Sequence, residues 1–253
     1  MSRQVVIRQC HALEDFHACV ALQREIWEEE PLEVEPATMF VVAAHTGGQV
    51  LGAFDGPALV GFTLAVAAVE DGCPYLHSHM TGIKDGYRDQ GIGRQLKLFQ
   101  REDALRRGFD LIRWTFALLE VRNAHFNLNR LGATCGKYLT NLYGVTTSPL
   151  HRGLRTDRLL AEWRLKDLRV VAAVDEVSEE MVETVGESTE SVRIAVPNTL
   201  PYGLSGDIAG VTALQDRLRD EFNEWFAKGY HASSVVTGDT PAYVLTPRGT
   251  QEP

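Results

Sequence analysis

The first part of the chain alternates strand-like and helix-like hydrophobic patterns. Val5–Arg8 predicts a short strand. From Leu13 to Trp27 the apolar residues then recur every three to four positions, which is the spacing of an amphipathic helix. The stretch from Glu28 to Gly48 shows no clear period, so we expect it to be irregular.

A hairpin and a third strand follow. Val50–Phe54 and Leu59–Val69 predict two strands joined across Asp55-Gly56-Pro57, a strong turn sequence, and Tyr75–Ile83 predicts the next strand. After them the pattern predicts a helix over Gly91–Arg107 stopped by Gly108, a strand over Leu111–Phe116, a helix over Asn123–Leu131 closed by Gly132, and strands over Tyr138–Tyr143 and Leu159–Leu165. This order predicts the α/β (α+β) class, with a mixed sheet and helices packed on it.

The last third of the chain has a different character. Residues 170–192 contain seven acidic residues and no Lys or Arg, which is typical of a solvated linker. A strand over Val192–Val196, a helix over about Asp207–Lys228 and a strand over Ala242–Leu245 come next. This tail is short for an independent fold. We therefore expect a core over residues 1–168 and a small α/β extension over 169–253, packed on the core or at a homodimer contact.

Composition narrows the functional classes. Of the 253 residues, 44% are apolar and 23% are charged, as in an ordinary globular protein. No apolar run is long enough to span a bilayer, and the start lacks the long apolar region of a secretory signal, so a cytoplasmic location is expected. The four widely spaced cysteines favour reduced thiols. A net charge of −9 argues against a nucleic-acid partner and weakly favours a cationic amine substrate.

The strongest chemical signal lies between the third predicted strand and the following helix. Tyr87–Leu96 reads YRDQGIGRQL. A helix N-terminus has backbone N–H groups without internal partners, and Gly91 and Gly93 lack the Cβ atoms that would keep an anion away from them. Arg88, Gln90 and Arg94 add side-chain donors. The pattern predicts a diphosphate cradle, although two glycines could also serve only a tight turn. The spacing is that of neither a P-loop nor a dinucleotide fold.

The segment MTGIKDGYRDQGIG (Met80–Gly93) resembles the coenzyme A signature of the GNAT acyltransferase superfamily, R/Q-x-x-G-x-G/A, with Arg88, Gly91 and Gly93 at the defining positions. The strand LIRWTF and the segment NAHFNLNRLG follow in family order, so the resemblance covers roughly residues 5–168. The words HSHMTGI, RNAHFNLNRLG and KYLTNLYG are similar to an uncharacterised bacterial branch with a C-terminal extension.

The resemblance implies a GNAT-like, mostly antiparallel sheet and acetyl-CoA, or another acyl-CoA, as co-substrate. No metal is expected, because the sequence places no convincing third ligand beside a zinc pair of His77 and His79. In this family the backbone of Thr81 and Ile83 would pair with the pantetheine arm, and Asn123 would reach it from the far side. A substrate amine would attack the thioester directly in a ternary complex. The residues implied in holding the diphosphate are Arg88, Asp89, Gln90, Gly91, Ile92, Gly93 and Arg94.

Direct attack needs a base for the amine and an acid for the departing thiolate. Family members often carry a tyrosine acid at the position of Leu128, so Tyr138 or Tyr143 could replace it, or the thiolate could leave without direct protonation. His77 and His79 lie two apart on a predicted strand and should face the same side as Thr81, which makes them candidate bases. Either could instead be structural, and Glu70 and Asp71 are alternative bases.

The sequence thus predicts an acyl-CoA-dependent acyltransferase, an N-acetyltransferase that transfers acetyl to a small-molecule amine, with no nucleic-acid or membrane partner. A non-catalytic acyl-CoA-binding sensor or assembly protein is the alternative from another class, because Leu128 replaces the usual tyrosine. A protein-modifying acetyltransferase is a third possibility.

Overall fold

A computed structural model describes residues 4–28, 30–144, 146, 153–175, 190–197 and 208–248. Every structural statement below concerns these residues. The chain divides into two compact units, one formed by the described residues up to Trp114 and the other by those from Thr115 onward. The predicted division into residues 1–168 and 169–253 stays a prediction.

The first unit contains a sheet with the strand order β1-β2-β3-β4-β5. Neighbouring strands are antiparallel except β4 and β5, which are parallel. The elements in chain order are β1 (Val5–Gln9), α1 (Leu13–Trp27), α2 (Ala37–His45), β2 (Gln49–Asp55), β3 (Ala58–Glu70), β4 (Cys73–Ile83), α3 (Ile92–Arg106) and β5 (Leu111–Ala117), whose last three residues belong to the second unit.

Helices cover both faces of this sheet, because alternate strand residues supply two separate apolar clusters. On one face, α1 and α2 pack on residues such as Phe62 and Leu64. On the other, Ile92 and Leu96 of α3 pack on Leu51, Ala53 and Val60. The strands and helices predicted for this unit are confirmed to within a few residues at their ends.

Helix α2 is the exception, since the sequence was expected to be irregular up to Gly48. Its sequence, ATMFVVAAH, is apolar almost throughout, so it lacks the polar face that reveals an amphipathic helix. Pro36 occupies the N-cap, and the side chains of Phe40 and Ala43 are fully buried.

The second unit contains strands in the order β7-β6-β9-β10-β8, and each recorded pair among them is antiparallel. Trp163, Phe222 and Tyr243 are the largest fully buried side chains of its core. Its elements are α4 (Val121–His125), a π-helical turn (Phe126–Arg130), β6 (Thr134–Leu139), β7 (Arg158–Arg164), α5 (Leu168–Val174), β8 (Val192–Ala195), α6 (Ile208–Ala227), β9 (Tyr230–Val236) and β10 (Ala242–Pro247).

One prediction for this unit was wrong, and one element was missed. The strand expected over Tyr138–Tyr143 is β6, which ends at Leu139, and Asn141 lies in a turn with a φ of 47°. The linker predicted over residues 170–192 falls largely on residues 176–189, which lie outside the described residues; its first residues belong to α5. Strand β9 was not anticipated, because its sequence YHASSVV mixes small and polar residues without clear alternation.

The described cysteines are free thiols: Cys10, Cys19 and Cys135 are buried and Cys73 is exposed. None of the described helices is long and apolar enough to cross a bilayer.

Candidate functional site

The loop from β4 to α3 has the backbone that the glycine pattern predicts. Gly86, Asp89 and Gly91 have φ angles of 81°, 62° and 77°, so the chain turns three times through the left-handed region before the helix begins. Gly91 is the N-cap of α3, and the N–H of Gln95 donates to its carbonyl oxygen at 3.0 Å. The backbone N–H groups of Ile92 and Gly93 therefore have no acceptor within the helix.

The space in front of these N–H groups is open. A Cβ atom added at Gly91 would meet no atom within 4 Å, and one added at Gly93 would meet only Ile83 Cγ1, at 4.0 Å. Neither glycine is therefore required by packing against a neighbour, although the φ of Gly91 does favour glycine. The cradle that two Cβ atoms would fill fits an anion such as a diphosphate, attracted by the positive end of the helix.

Hydrogen bonds and an ion pair made by side chains of the loop stabilise its conformation. Gln90 Nε2 donates to the carbonyl of Gly86 at 2.8 Å, and Tyr87 Oη donates to Asp55 on β2 at 2.8 Å. Arg88 Nε donates to the carbonyl of Ile83 at 3.2 Å, and its guanidinium pairs with Asp85 at 3.0 Å. Because both Arg88 and Asp85 are largely exposed, this ion pair is weak and Arg88 can exchange it for a phosphate.

Strand β4 is paired with β5 over only a short stretch. The recorded parallel pairs are Leu76 with Ile112 and His77 with Arg113. Beyond His77, the backbone toward Ile83 continues without a recorded partner on β5. The backbone of Thr81 and Ile83, which the resemblance assigns to pantetheine, lies in this stretch.

A β-bulge places His79 at the start of that stretch. Met80 pairs with Leu64 and Ser78 with Ala65 on β3, so His79 is the extra residue between them. Its Nε2 atom lies 3.0 Å from Glu35 Oε1, and both side chains are less than a third exposed. Sequence reasoning missed Glu35, which lies in the segment between α1 and α2 that was expected to be irregular.

The bulge also changes which side chains share a face. Thr81 Oγ1 lies 2.9 Å from Thr63 Oγ1, whereas the neighbours of Thr63 on β3, Phe62 and Leu64, face α1 and α2. Thr81 therefore lies on the opposite face from His79. The prediction that Thr81 shares a face with the two histidines was wrong, because the inserted residue shifts the alternation by one.

His77 differs from His79 in its environment. The two imidazole rings lie 6.3 Å apart, and burial lowers the pKa of His77, with smaller contributions from His79 and Lys97. His77 is half-buried, and its lowered pKa favours the neutral imidazole. Glu70, an alternative base, pairs with Arg113, and Asp71 lies exposed in the turn before β4. No group of three or more metal-binding side chains occurs among the described residues.

A buried lysine lies behind the point where β4 and β5 separate. Lys97 Nζ of α3 donates to Ser78 Oγ at 2.9 Å and to Gln100 Oε1 at 3.0 Å, and it lies 4.2 Å from the centre of the Trp114 ring. Burial lowers its pKa to about 7. Lys97 follows the buried Leu96 on α3, but no pattern in the sequence marks this lysine as buried.

In the second unit, Asn123 lies exposed on α4, and its Oδ1 atom accepts a 3.5 Å contact from Asn127. The following π-helical turn contains Leu128, which is fully buried. Because a π-helical turn inserts one residue, the side chains around it are rotated from where α-helical spacing would place them. Leu128 is a core residue of this unit, and the predicted role of Asn123 stays a prediction.

The two candidate tyrosine acids have different surroundings. Tyr138 Oη donates to Asp157 at 2.7 Å, and burial together with this hydrogen bond raises the pKa of Tyr138 well above the usual range. These contacts favour a structural role. Tyr143 is 46% exposed, with its hydroxyl 3.0 Å from Thr115 Oγ1. Its role as the acid stays a prediction.

Comparison with known proteins identifies the fold. No protein-family profile and no curated protein matches the sequence. The structure is similar to that of the ribosomal-protein-S18-alanine N-acetyltransferase from Escherichia coli, with a TM-score of 0.52 and 13% identity over 65% of this chain and 96% of the other.

Two further solved structures are similar. An acetyltransferase assigned to the GNAT family from Desulfovibrio desulfuricans has a TM-score of 0.51 and 15% identity over 64% of this chain and 99% of the other. A Salmonella typhimurium protein, described as an acetyltransferase and solved with acetyl-CoA, has a TM-score of 0.51 and 15% identity over 64% of this chain and 95% of the other. The predicted fold is confirmed: this chain has the fold of the GNAT acetyltransferases.

Proposed function

We propose that the protein is an acyl-CoA-dependent acyltransferase that transfers acetyl to the amine of a small molecule. The observation that carries the proposal is the glycine loop at the head of α3. The open space over Gly91 and Gly93, together with the N–H groups behind it, suits the diphosphate of coenzyme A.

Different residues of the first unit would bind different parts of coenzyme A. The N–H groups of Ile92 and Gly93 would hold the diphosphate, with Arg88 turning from Asp85 toward it. Beyond His77, the edge of β4 that no longer pairs with β5 would offer its backbone to the pantetheine arm. When bound, acetyl-CoA supplies an activated acyl group on a thiol leaving group.

His79 would serve as the base. An amine acceptor is protonated at neutral pH, and it must lose a proton before or during attack. His79 is partly exposed on the bulge of β4, whereas burial lowers the pKa of His77 and makes it the weaker base, so we assign the proton to His79. The net charge of −9 also favours a cationic acceptor.

A second candidate function is an acyl-CoA sensor without turnover. Leu128 supports it, since a buried leucine stands where family members often carry the acid. A protein acceptor is a further possibility, because one similar structure is an N-acetyltransferase named for a ribosomal protein. The acceptor panel should therefore include peptides beside small amines.

The binding test is Gly93→Leu, a larger change than the alanine that the signature accepts here, measured by calorimetry with acetyl-CoA. A Cβ atom at this position would contact only Ile83, so the fold should hold while the larger side chain fills the cradle. We expect affinity to fall about tenfold or more, which corresponds to about 1.4 kcal/mol. Gly210→Leu, at an exposed position in the first turn of α6, is the matched control.

Turnover is then followed as release of free thiol with the acceptor panel. Amine-dependent release that falls in His79→Ala supports the enzyme, and binding without release on any acceptor supports the sensor. If the wild-type protein takes up no coenzyme A species, both functions are wrong.

A further inference from the structure

We propose that Glu35 is a positioning residue for His79: its carboxylate accepts the Nε2–H of the imidazole and so leaves Nδ1 as the nitrogen that receives the acceptor's proton. This inference rests on the proposed function, because it assigns a partner to the base of that reaction.

The contact between the two side chains is direct. Glu35 Oε1 lies 3.0 Å from His79 Nε2, within hydrogen-bonding distance. A carboxylate can only accept, so Nε2 must carry the hydrogen, and the neutral ring then has its lone pair on Nδ1. An imidazole that could adopt either tautomer would present the lone pair at Nδ1 only part of the time.

The bulge in β4 makes this contact possible. In a regular strand, His79 and Met80 would point to opposite faces of the sheet. Here Met80 packs in the cluster formed with α1 and α2, while His79 reaches the segment that connects these same helices. The extra residue therefore turns His79 toward Glu35.

Glu35 is held from both sides along the chain. Val34 is 8% exposed and anchors the segment in the core. Pro36, the N-cap of α2 with φ of −73° and ψ of 158°, restricts the residue before it to extended conformations. The backbone of Glu35 is thus restrained by features that do not depend on its contact with His79.

Stability alone gives little reason for the pair. The two side chains are 27% and 29% exposed, and a hydrogen bond that water can replace contributes little net free energy to folding. The pair lies next to the place where β4 parts from β5, where orientation of a base matters for acyl transfer.

The first test is spectroscopic and needs no turnover. Two-bond nitrogen–proton correlation spectra of the full chain, with labelled histidine, report the tautomer of each of the eight histidines. Loss of one signal in His79→Gln assigns His79. At pH 8.5, above the range in which an ordinary imidazole titrates, we expect the Nε2–H tautomer in the wild-type protein and a mixture in Glu35→Ala.

The second test is kinetic. Glu35→Ala should lower kcat about tenfold to a hundredfold and leave KM for acetyl-CoA within about twofold, because the carboxylate acts through the base. Glu35→Gln keeps an accepting oxygen and should retain more of kcat than Glu35→Ala. Glu30→Ala removes a nearby exposed acid and should leave kcat unchanged.

The outcomes separate the two proposals. An Nδ1–H tautomer in the wild-type protein, or full kcat in Glu35→Ala, overturns the role of Glu35 even if His79 proves essential. The Nε2–H tautomer in a protein that binds acetyl-CoA but turns over no acceptor supports the positioning by Glu35 and contradicts the proposed catalysis.

Discussion

A lysine amine enclosed by Ser78, Gln100 and Trp114 is the most unusual single group of the first unit. Burial disfavours its charged form, whereas the face of Trp114 favours it, and burial prevails. Since the pKa of Lys97 falls to about 7, the amine changes charge near neutral pH, directly behind the strand that carries both histidines.

This shift predicts a pH-dependent stability that Lys97→Met removes. The folded pKa lies below that of an ordinary lysine, so the unfolded chain binds one more proton between pH 7 and 10.5. Stability should therefore rise with pH across this window. Below pH 7 Lys97 is charged in both the folded and the unfolded state, so the cost of burying its charge is fully present there. Urea unfolding at pH 7, 8 and 9 should show the wild type gaining about 1 kcal/mol per pH unit relative to Lys97→Met.

Lys137→Met, at an exposed position of β6, is the control and should follow the wild-type pH dependence. Parallel curves for Lys97→Met and the wild type would show that Lys97 keeps its charge in the folded protein.

Among single residues, the sequence reveals those whose role depends on their neighbours in the chain. Gly91 and Gly93 could be identified as part of an anion site because a predicted strand precedes them and a predicted helix follows them. Glu35 and Lys97 could not, because their partners, His79 and Ser78 with Trp114, are distant in the chain and are brought close only by folding.

At the level of secondary-structure elements, the hydroxyl of Tyr138 links β6 to neighbouring segments of the second unit. Tyr138 Oη donates to Asp157, just before β7, and lies 3.4 Å from the carbonyl of Gln215 on α6. The second oxygen of Asp157 accepts the backbone N–H of Asn141 at 2.9 Å, which stabilises the turn after β6.

Tyr138→Phe should therefore lower stability and spare activity. The substitution leaves a buried carboxylate oxygen without one donor, which costs about 1 to 3 kcal/mol. Chemical unfolding measures the cost, and thiol release measures turnover, which should stay within about twofold of the wild type. Tyr143→Phe removes the exposed hydroxyl and should cost less than about 0.5 kcal/mol. A stable Tyr138→Phe protein without turnover would instead restore Tyr138 as a candidate acid.

Elements with a clear period were predicted and those without one were not. Helix α1 and the β2–β3 hairpin show their faces in the sequence, whereas α2 is apolar all round and β9 is mixed. The sequence placed β6 too far toward Tyr143, because KYLTNLYG is more strand-like than TCGKYL. The strand ends at Leu139, before the turn at Asn141.

For the molecule as a whole, the second unit depends on its C-terminal residues. Strand β9 pairs with β6 at Cys135 and Ala232, and β10 pairs with β9 and β8. Phe222 of α6 is fully buried, with ring centres 6.2 Å from Tyr138 and 5.2 Å from Tyr243. This aromatic cluster joins residues from both sides of the predicted boundary at residue 168.

Phe222→Ala should therefore destabilise the second unit by about 3 to 5 kcal/mol, the usual cost of emptying a large buried site. Thermal unfolding followed by circular dichroism would show the shift, with Asn223→Ala on the exposed side of the same helix as control. A loss below about 1 kcal/mol would mean that α6 contributes little to this core.

The overall fold could be predicted more completely than its individual helices and strands. One strand–loop–helix motif indicated a family whose structures match over about two thirds of the chain. No such motif covers residues 190–248. The local pattern predicted β8, α6 and β10, but it could not predict how the strands pair with β6 and with each other, because the paired residues are distant in the chain.

The inserted residue at His79 also affects how this chain can be aligned. A strand without the insertion carries one residue fewer between the positions matching Ser78 and Met80, so a gap-free alignment is out of frame on one side of this point. The π-helical turn over Phe126–Arg130 shifts the frame again by one. Homologues should therefore be aligned with a single-residue gap allowed at each place, and residue equivalences drawn without it will compare side chains that point in different directions.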